Sequence, residues 1–194
     1  MKTFLEMVST GVDALTIWFR KDLCPGPSKF HHTMSDITFT HIRDGHAAMV
    51  DISGKDVIGR YAVATGRIKL RKGTIAAIVA GSFEKGNVLA TARVAAITAI
   101  KETSRIIPMC HQIQIAGIDV DFEFVGGSDD GSVISAVVKV KSLGRTGVEM
   151  EALCGVSVAL LTIWDMVKSA EKDEIGNYPD TAISGIRVLE KVKY

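Results

Sequence analysis

The chain has 194 residues, 47% of them hydrophobic and 23% charged, with a formal net charge of +1; these values describe a soluble globular chain long enough to bury a substantial core. The near-neutral balance lacks the basic excess of a nucleic-acid or anionic-membrane binder, so neither partner is expected. The longest uncharged apolar run, residues 152–164, is shorter than the roughly 18 to 20 residues of a membrane span. Cys24, Cys110 and Cys154 are odd in number, far apart and without a CxxC, which suits reduced thiols in a cytoplasm better than disulfides or a zinc site.

Residues 1–36 read as an N-terminal extension and linker. Lys2, Glu6 and Asp13 interrupt any signal-peptide core, Val8 to Arg20 carries a short helical pattern, and LCPGPSKFHHTMSD at residues 23–36 breaks regularity. Met34 is a candidate start of the native chain. LTIW occurs at residues 15–18 and again at 161–164, a match too short to be a repeat.

Residues 37–194 have a denser pattern and are expected to form one domain. ATGRIKL, residues 64–70, reads as the end of a strand, and Thr74 to Ala80 as a short apolar helix closed by Gly81. Asn87 is a suitable N-cap for a helix running to about Arg105, and Ala90, Ala92, Ala95, Ala96 and Ala99 allow it close packing. The period then changes. Ile113 to Phe124 alternates as a strand, residues 126–131 turn, and Val133 to Lys141 returns as a second strand, making a hairpin. A long helical pattern follows over residues 144–172, and Ala182 to Val192 supplies a last strand. The sum is an α+β sandwich of ferredoxin-like type, an antiparallel sheet with helices packed on one face.

Chemistry concentrates at few places. Asp165 and Lys168 are an i,i+3 pair on the long helix, and Glu151 projects within about 40° of Asp165 at 100° per residue. These residues either face one cleft or mark the solvated ends of a core helix. Partial burial against Trp164 and Met166 is expected to depress the Lys168 pKa, while Lys168 keeps Asp165 ionised. Lys85 precedes the Asn87 cap, so its ammonium lies near unpaired helix amides, a setting suited to phosphate. Two lysines and a carboxylate can neutralise an anionic substrate and move protons without a metal. No GxxxxGK[ST] or GxGxxG is present.

In Pro108-Met109-Cys110-His111, neighbours in extended chain point to opposite faces, so Cys110 and His111 do not readily pair as nucleophile and base. His111 is the better candidate for hydrogen bonding or proton transfer, and Cys110 for packing. The remaining histidines, at 31, 32, 41 and 46, lack metal-ligand spacing.

Several stretches together resemble one family. HAAMVDISGK (46–55), EKGNVLATARVAAITAIKET (84–103), IPMCHQI (107–113), GRTGVEMEAL (144–153) and LTIWDMVKSAEKD (161–173) are similar, in order, to the molybdenum cofactor biosynthesis protein C (MoaC) family. The resemblance covers about Thr38 to Lys191. It implies a lyase that rearranges 3′,8-cyclo-7,8-dihydroguanosine triphosphate, a cyclised GTP, into cyclic pyranopterin monophosphate and releases pyrophosphate, with no metal or organic cofactor. By position in the motifs it implies Asp165, Lys168 and Lys85 as catalytic residues. Met109, Cys110, His111, Glu149, Met150, Glu151 and Arg60 fall on substrate-contacting positions, Arg60 as a holder of phosphate.

The resemblance further implies a homohexamer, a trimer of dimers, with active sites at subunit boundaries. Many relatives end in a glycine-rich KSGGKSG tail, whereas this chain reads LEKVKY. Lys191 aligns with the first tail lysine, and Lys193 is a substitute for the second. A non-catalytic nucleotide- or pterin-binding module on the same core is the rival class, but a carboxylate beside an anionic ligand costs such a module affinity. A purely structural oligomer would leave His111 and Glu151 unexplained.

Overall fold

The computed structural model describes residues 42–43, 46–126 and 132–194. The expected extension over residues 1–36 and most of the hairpin turn lie outside the described residues. Two short strands come first, β1 (Ile42–Arg43) and β2 (His46–Ala47), paired antiparallel.

The main sheet is built from β3 (Ile58–Leu70), β4 (Ile115–Val125), β5 (Ser132–Gly144) and β6 (Ala182–Lys193). Its order is β4-β5-β3-β6, with every neighbouring pair antiparallel. Between β3 and β4 run α1 (Lys72–Ala80), α2 (Val88–Lys101) and α3 (Thr103–Ile106); α4 (Glu149–Glu171) joins β5 to β6. This is the expected α+β arrangement, and the hairpin pairs Val120 with Val138.

Strand β3 begins six residues before the recognised ATGRIKL segment. Its position between β5 and β6 explains the difference: a central strand is covered on both sides, and its start does not show a simple two-residue alternation. The α2 helix ends at Lys101, and Glu102 separates it from α3, where one helix to about Arg105 was expected. Asn87 caps α2 as expected, its side-chain oxygen accepting from the Ala90 N–H at 2.9 Å. Gly81 ends α1 at φ 66°, the left-handed conformation that glycine adopts without a Cβ penalty.

The core lies between one sheet face and the α2/α4 layer. Ala62, Ala64, Ile68 and Leu70 of β3, with Ile134, Ala136, Val138 and Val140 of β5, form its floor. Ala152, Val156, Ala159, Leu160, Ile163 and Val167 face them from α4. Ala92 and Ala96 bring α2 against this layer, and each fully buried branched side chain contributes about 1.5–3 kcal/mol. Helix α4 has the length and mean hydropathy, 1.6, of a membrane span, yet its apolar face packs on the sheet as a core helix does.

At the C-terminal end of α4 a second kind of contact fixes the layer. Glu171 is fully buried, and its carboxylate accepts from the Arg71 N–H, the Thr74 hydroxyl and the Thr181 hydroxyl. One side chain thereby closes the start of α1, the end of α4 and the approach to β6. A buried carboxylate is tolerated because donors surround it.

Candidate active site

Two clusters of the expected residues form, one near each end of α4. At the C-terminal end, Lys168 Nζ donates to Asp165 Oδ1 at 2.7 Å and Lys85 Nζ donates to the Asp165 backbone carbonyl at 3.2 Å. The first contact is local, one helical turn. The second crosses from the loop between α1 and α2, where Gly81 ends α1 and Asn87 starts α2, so this turn brings Lys85 to the long helix.

The pair is solvent-accessible, with side-chain exposures of 65% for Asp165 and 44% for Lys168. A hydrogen bond from Lys168, then its charge and more weakly that of Lys85, hold the Asp165 carboxyl below its ordinary value. The hydrogen bond and charge of Asp165 raise the Lys168 pKa. This corrects the expected depression: burial is too slight to outweigh the carboxylate partner. Trp164, one residue before Asp165, meets Tyr178 edge-on with ring centroids 5.5 Å apart.

Near the N-terminal end of α4 is a cavity of about 290 Å³ lined by Met109, Cys110, His111, Met150 and Glu151 among others. The segment after α3 brings Met109, Cys110 and His111 to it, and the first turn of α4 brings Met150 and Glu151. His111 Nε2 lies 2.8 Å from the Val50 carbonyl, so a ring with its proton on Nε2 donates there and offers Nδ1 as an acceptor. Cys110 is partly exposed and lines the cavity, where local sequence favoured packing and the motif match a substrate-contacting position. Burial, then the charges of Glu151 and Cys154, push its thiol pKa up.

Glu151 is only 3% exposed. Burial pushes its carboxyl up to about 7, with Glu149 adding to the rise and a backbone hydrogen bond opposing it. It therefore exchanges a proton in the neutral range, a shift that nothing in the sequence around Glu151 indicates. Glu149 does not line the cavity; it forms an ion pair with Lys191 of β6.

Arg60, expected to reach phosphate, is buried near the start of β3. Its Nε and Nη2 donate to the carbonyls of Gly144 and Arg145 at 2.8 and 3.0 Å. Those bonds fix the turn that leads from β5 into α4. Sequence reading overlooked Val50, Ile52, Lys55, Ile113, Thr146 and Gly147 as cavity walls; the first three and the last three sit inside recognised motifs, but their inward placement depends on contacts far along the chain.

Glu151 and Asp165 are about 21 Å apart along α4 at 1.5 Å per residue, so the two clusters do not share one small cleft within a chain. The chain is thus an α+β protein with a charged acid–lysine cluster and a separate polar cavity joined by one core helix. It belongs to the MoaC family, whose sequence profile matches residues 49–193. A protein of Methanococcoides burtonii named probable cyclic pyranopterin monophosphate synthase is 64% identical over 155 residues, 80% of this chain and 94% of its own length. Relatives with the same name from Methanosarcina mazei and Pyrococcus abyssi are 63% and 54% identical, the alignments covering 80% and 79% of this chain and 96% and 94% of theirs.

Proposed function

We propose that this chain is a cyclic pyranopterin monophosphate synthase, a phosphorus–oxygen lyase of molybdenum cofactor biosynthesis. Its substrate is 3′,8-cyclo-7,8-dihydroguanosine triphosphate, and its products are cyclic pyranopterin monophosphate and pyrophosphate. The observation that carries this reading is the meeting of Lys85 and Lys168 at Asp165 in a member of the MoaC family.

The chemistry needs proton movement and compensation of phosphate charge. Closing the cyclic phosphate requires a ligand hydroxyl to attack the α-phosphorus, give up its proton, and expel pyrophosphate with the electron pair of the broken P–O bond. Asp165 is a carboxylate suited to accept a proton; Lys168, kept as an ammonium by that carboxylate, suits donation and charge stabilisation. Lys85 adds a second positive charge at the same point. In the other cluster His111 and Glu151 exchange protons with the rearranging ring, Met109, Cys110 and Met150 shape the wall, and Glu149 holds Lys191. Arg60 acts by fixing the 144–145 turn.

A complete site requires both clusters. We assign their union to a homohexamer, a trimer of dimers, in which the Asp165 end of one subunit meets the Glu151 cavity of another. The exposed apolar side chains Val94 on α2 and Leu161 on α4 support burial against further copies. Free Cys110 and Cys154 suit a cytoplasmic location.

The test is incubation of purified protein with the cyclised GTP intermediate, measuring pyrophosphate and pterin together. Coupled release supports the reading, and binding without turnover favours a non-catalytic pterin- or nucleotide-binding module. Mixing inactive Asp165→Asn and His111→Ala subunits after dissociation tests the shared site: activity returns if each intact half comes from a different subunit, and stays absent if one chain must supply both.

A further inference from the structure

The chain between α4 and β6, residues 172–181, is tied down at both ends around one aromatic side chain. At its start Asp173 closes a turn: its N–H donates to the Asn177 carbonyl at 2.9 Å, and its Oδ1 accepts from the N–H groups of Ile175 and Asn177 at 3.0 and 2.7 Å. At its end Arg71 Nε donates to Asp180 Oδ2 at 3.0 Å, and the Thr181 hydroxyl donates to the buried Glu171. Tyr178 lies between these anchors, and Pro179 after it disfavours helical backbone at that position.

Tyr178 is half-buried, and its ring meets Trp164 edge-on with centroids 5.5 Å apart. Trp164 and Lys168 are i,i+4 neighbours on α4, so they share one strip of the helix surface. The anchored loop thereby brings Tyr178 to the turn that carries the Asp165–Lys168 pair. It is near enough for its phenol, when ionised, to raise the Lys168 pKa. The ring is engaged by Trp164, whereas the hydroxyl has no hydrogen-bond partner among the described residues. Packing on Trp164 requires only the ring, and a phenylalanine would supply it.

Lys168 and Lys85 both meet Asp165, so two ammonium groups and one carboxylate leave this end of α4 with a net positive charge. An anion is drawn to such a cluster, and a neutral donor beside it adds a directed hydrogen bond to an oxygen whose charge the lysines offset. We propose that Tyr178 is a substrate-binding residue of the Asp165 cluster, its hydroxyl donating a hydrogen bond to a phosphate oxygen of the triphosphate substrate. This rests on the functional reading above for the identity of the substrate. The hydroxyl is the group required, so phenylalanine loses the contact while keeping the ring against Trp164.

Steady-state kinetics on the assembled protein will show KM for the cyclised GTP raised about tenfold in Tyr178→Phe, with kcat within about threefold of the parent. Calorimetry with inorganic triphosphate, a probe that needs no turnover, will show a similar loss of affinity in Tyr178→Phe, and the melting temperature will be that of the parent. Equal triphosphate affinity in the parent and Tyr178→Phe overturns the proposal, and if Tyr178→Ala alone is then impaired the residue serves only to pack on Trp164. An effect of Tyr178→Phe confined to kcat, or no triphosphate binding by the parent, overturns it as well. Absence of pyrophosphate release by the parent overturns the functional reading instead and leaves the triphosphate comparison to decide on Tyr178.

Discussion

Lys168 Nζ lies 2.7 Å from Asp165 Oδ1, and each residue keeps the other charged. The Asp165 pKa is lowered and the Lys168 pKa is raised, so the pair remains ionic throughout the neutral range. Neither group then accounts for a pH limb near neutrality. Asp165→Asn will cut turnover by about 100-fold or more. It will also let the Lys168 pKa fall back, so that the variant gains an alkaline decline the parent lacks. pH–rate profiles of both proteins check this; a parent profile with a near-neutral limb that disappears in Lys168→Met would show that Lys168 works as a neutral base. Because both side chains are exposed, the melting temperature should hardly change.

Glu151 gives stability its own pH dependence. Its folded-state pKa of about 7 lies above the ordinary value of 4.5, so between those values the unfolded chain binds fewer protons than the folded one. Stability is greatest below about pH 4.5 with respect to this group, falls through the window to about pH 7, and is level above it. The fall is at most about 3 kcal/mol. Glu151→Gln carries no such titration, so urea unfolding of both proteins should give a stability difference that grows in favour of the glutamine variant from pH 5 to pH 7 and then stops. A constant difference across that range would contradict the buried titration.

The same contrast explains what was legible in the chain. Asp165 and Lys168 meet because helix geometry puts i and i+3 together, and the helix was evident from its apolar pattern. Lys85 arrived through its neighbouring cap and through family motifs, since nothing local says that the α1–α2 loop reaches α4. The sign of the Lys168 shift was misjudged because exposure is a tertiary property, and Trp164 and Met166 beside it in sequence do not enclose its ammonium. Lys55 lies within a recognised motif, but its place in the cavity wall depends on Arg145, ninety residues on, whose Nε donates to the Lys55 carbonyl. The β4–β5 hairpin was readable from alternation, whereas the start of β3 was not, as Arg60 is buried there by carbonyl acceptors supplied from the end of β5.

Glu171 should be among the most sensitive positions for folding. Alanine there leaves the Thr74 and Thr181 hydroxyls and the Arg71 N–H without their shared acceptor, at a cost of about 2–4 kcal/mol. Glutamine keeps one acceptor oxygen and should cost less, about 1 kcal/mol. Chemical denaturation of Glu171→Ala, Glu171→Gln and the parent gives the ranking, and equal stability of the alanine variant would mean that water replaces the carboxylate at no cost. Since the same contact joins the starts of α1 and β6 to the end of α4, the alanine variant should also lose turnover through the displaced Lys85 loop.

Gly155 sets the distance between α4 and its neighbours. A Cβ placed there would lie 2.7 Å from Ile100 Cδ1, 2.8 Å from Ile100 Cγ1 and 3.2 Å from Val138 Cγ1. Both neighbours are buried in the core, so neither side chain can swing into solvent. Gly155→Ala gains about 1 kcal/mol of helix propensity but forces α2 and the sheet apart, at about 1–3 kcal/mol, and the net change should be destabilising. Ile100→Val removes the nearest atom, so the double variant Gly155→Ala with Ile100→Val should be more stable than the sum of the two single changes predicts. Gly54→Ala, where nothing lies within 4 Å of the added atom, is the control and should stay within about 0.5 kcal/mol of the parent. Additive single effects in the cycle would show that Ile100 does not limit the approach of α4 to α2.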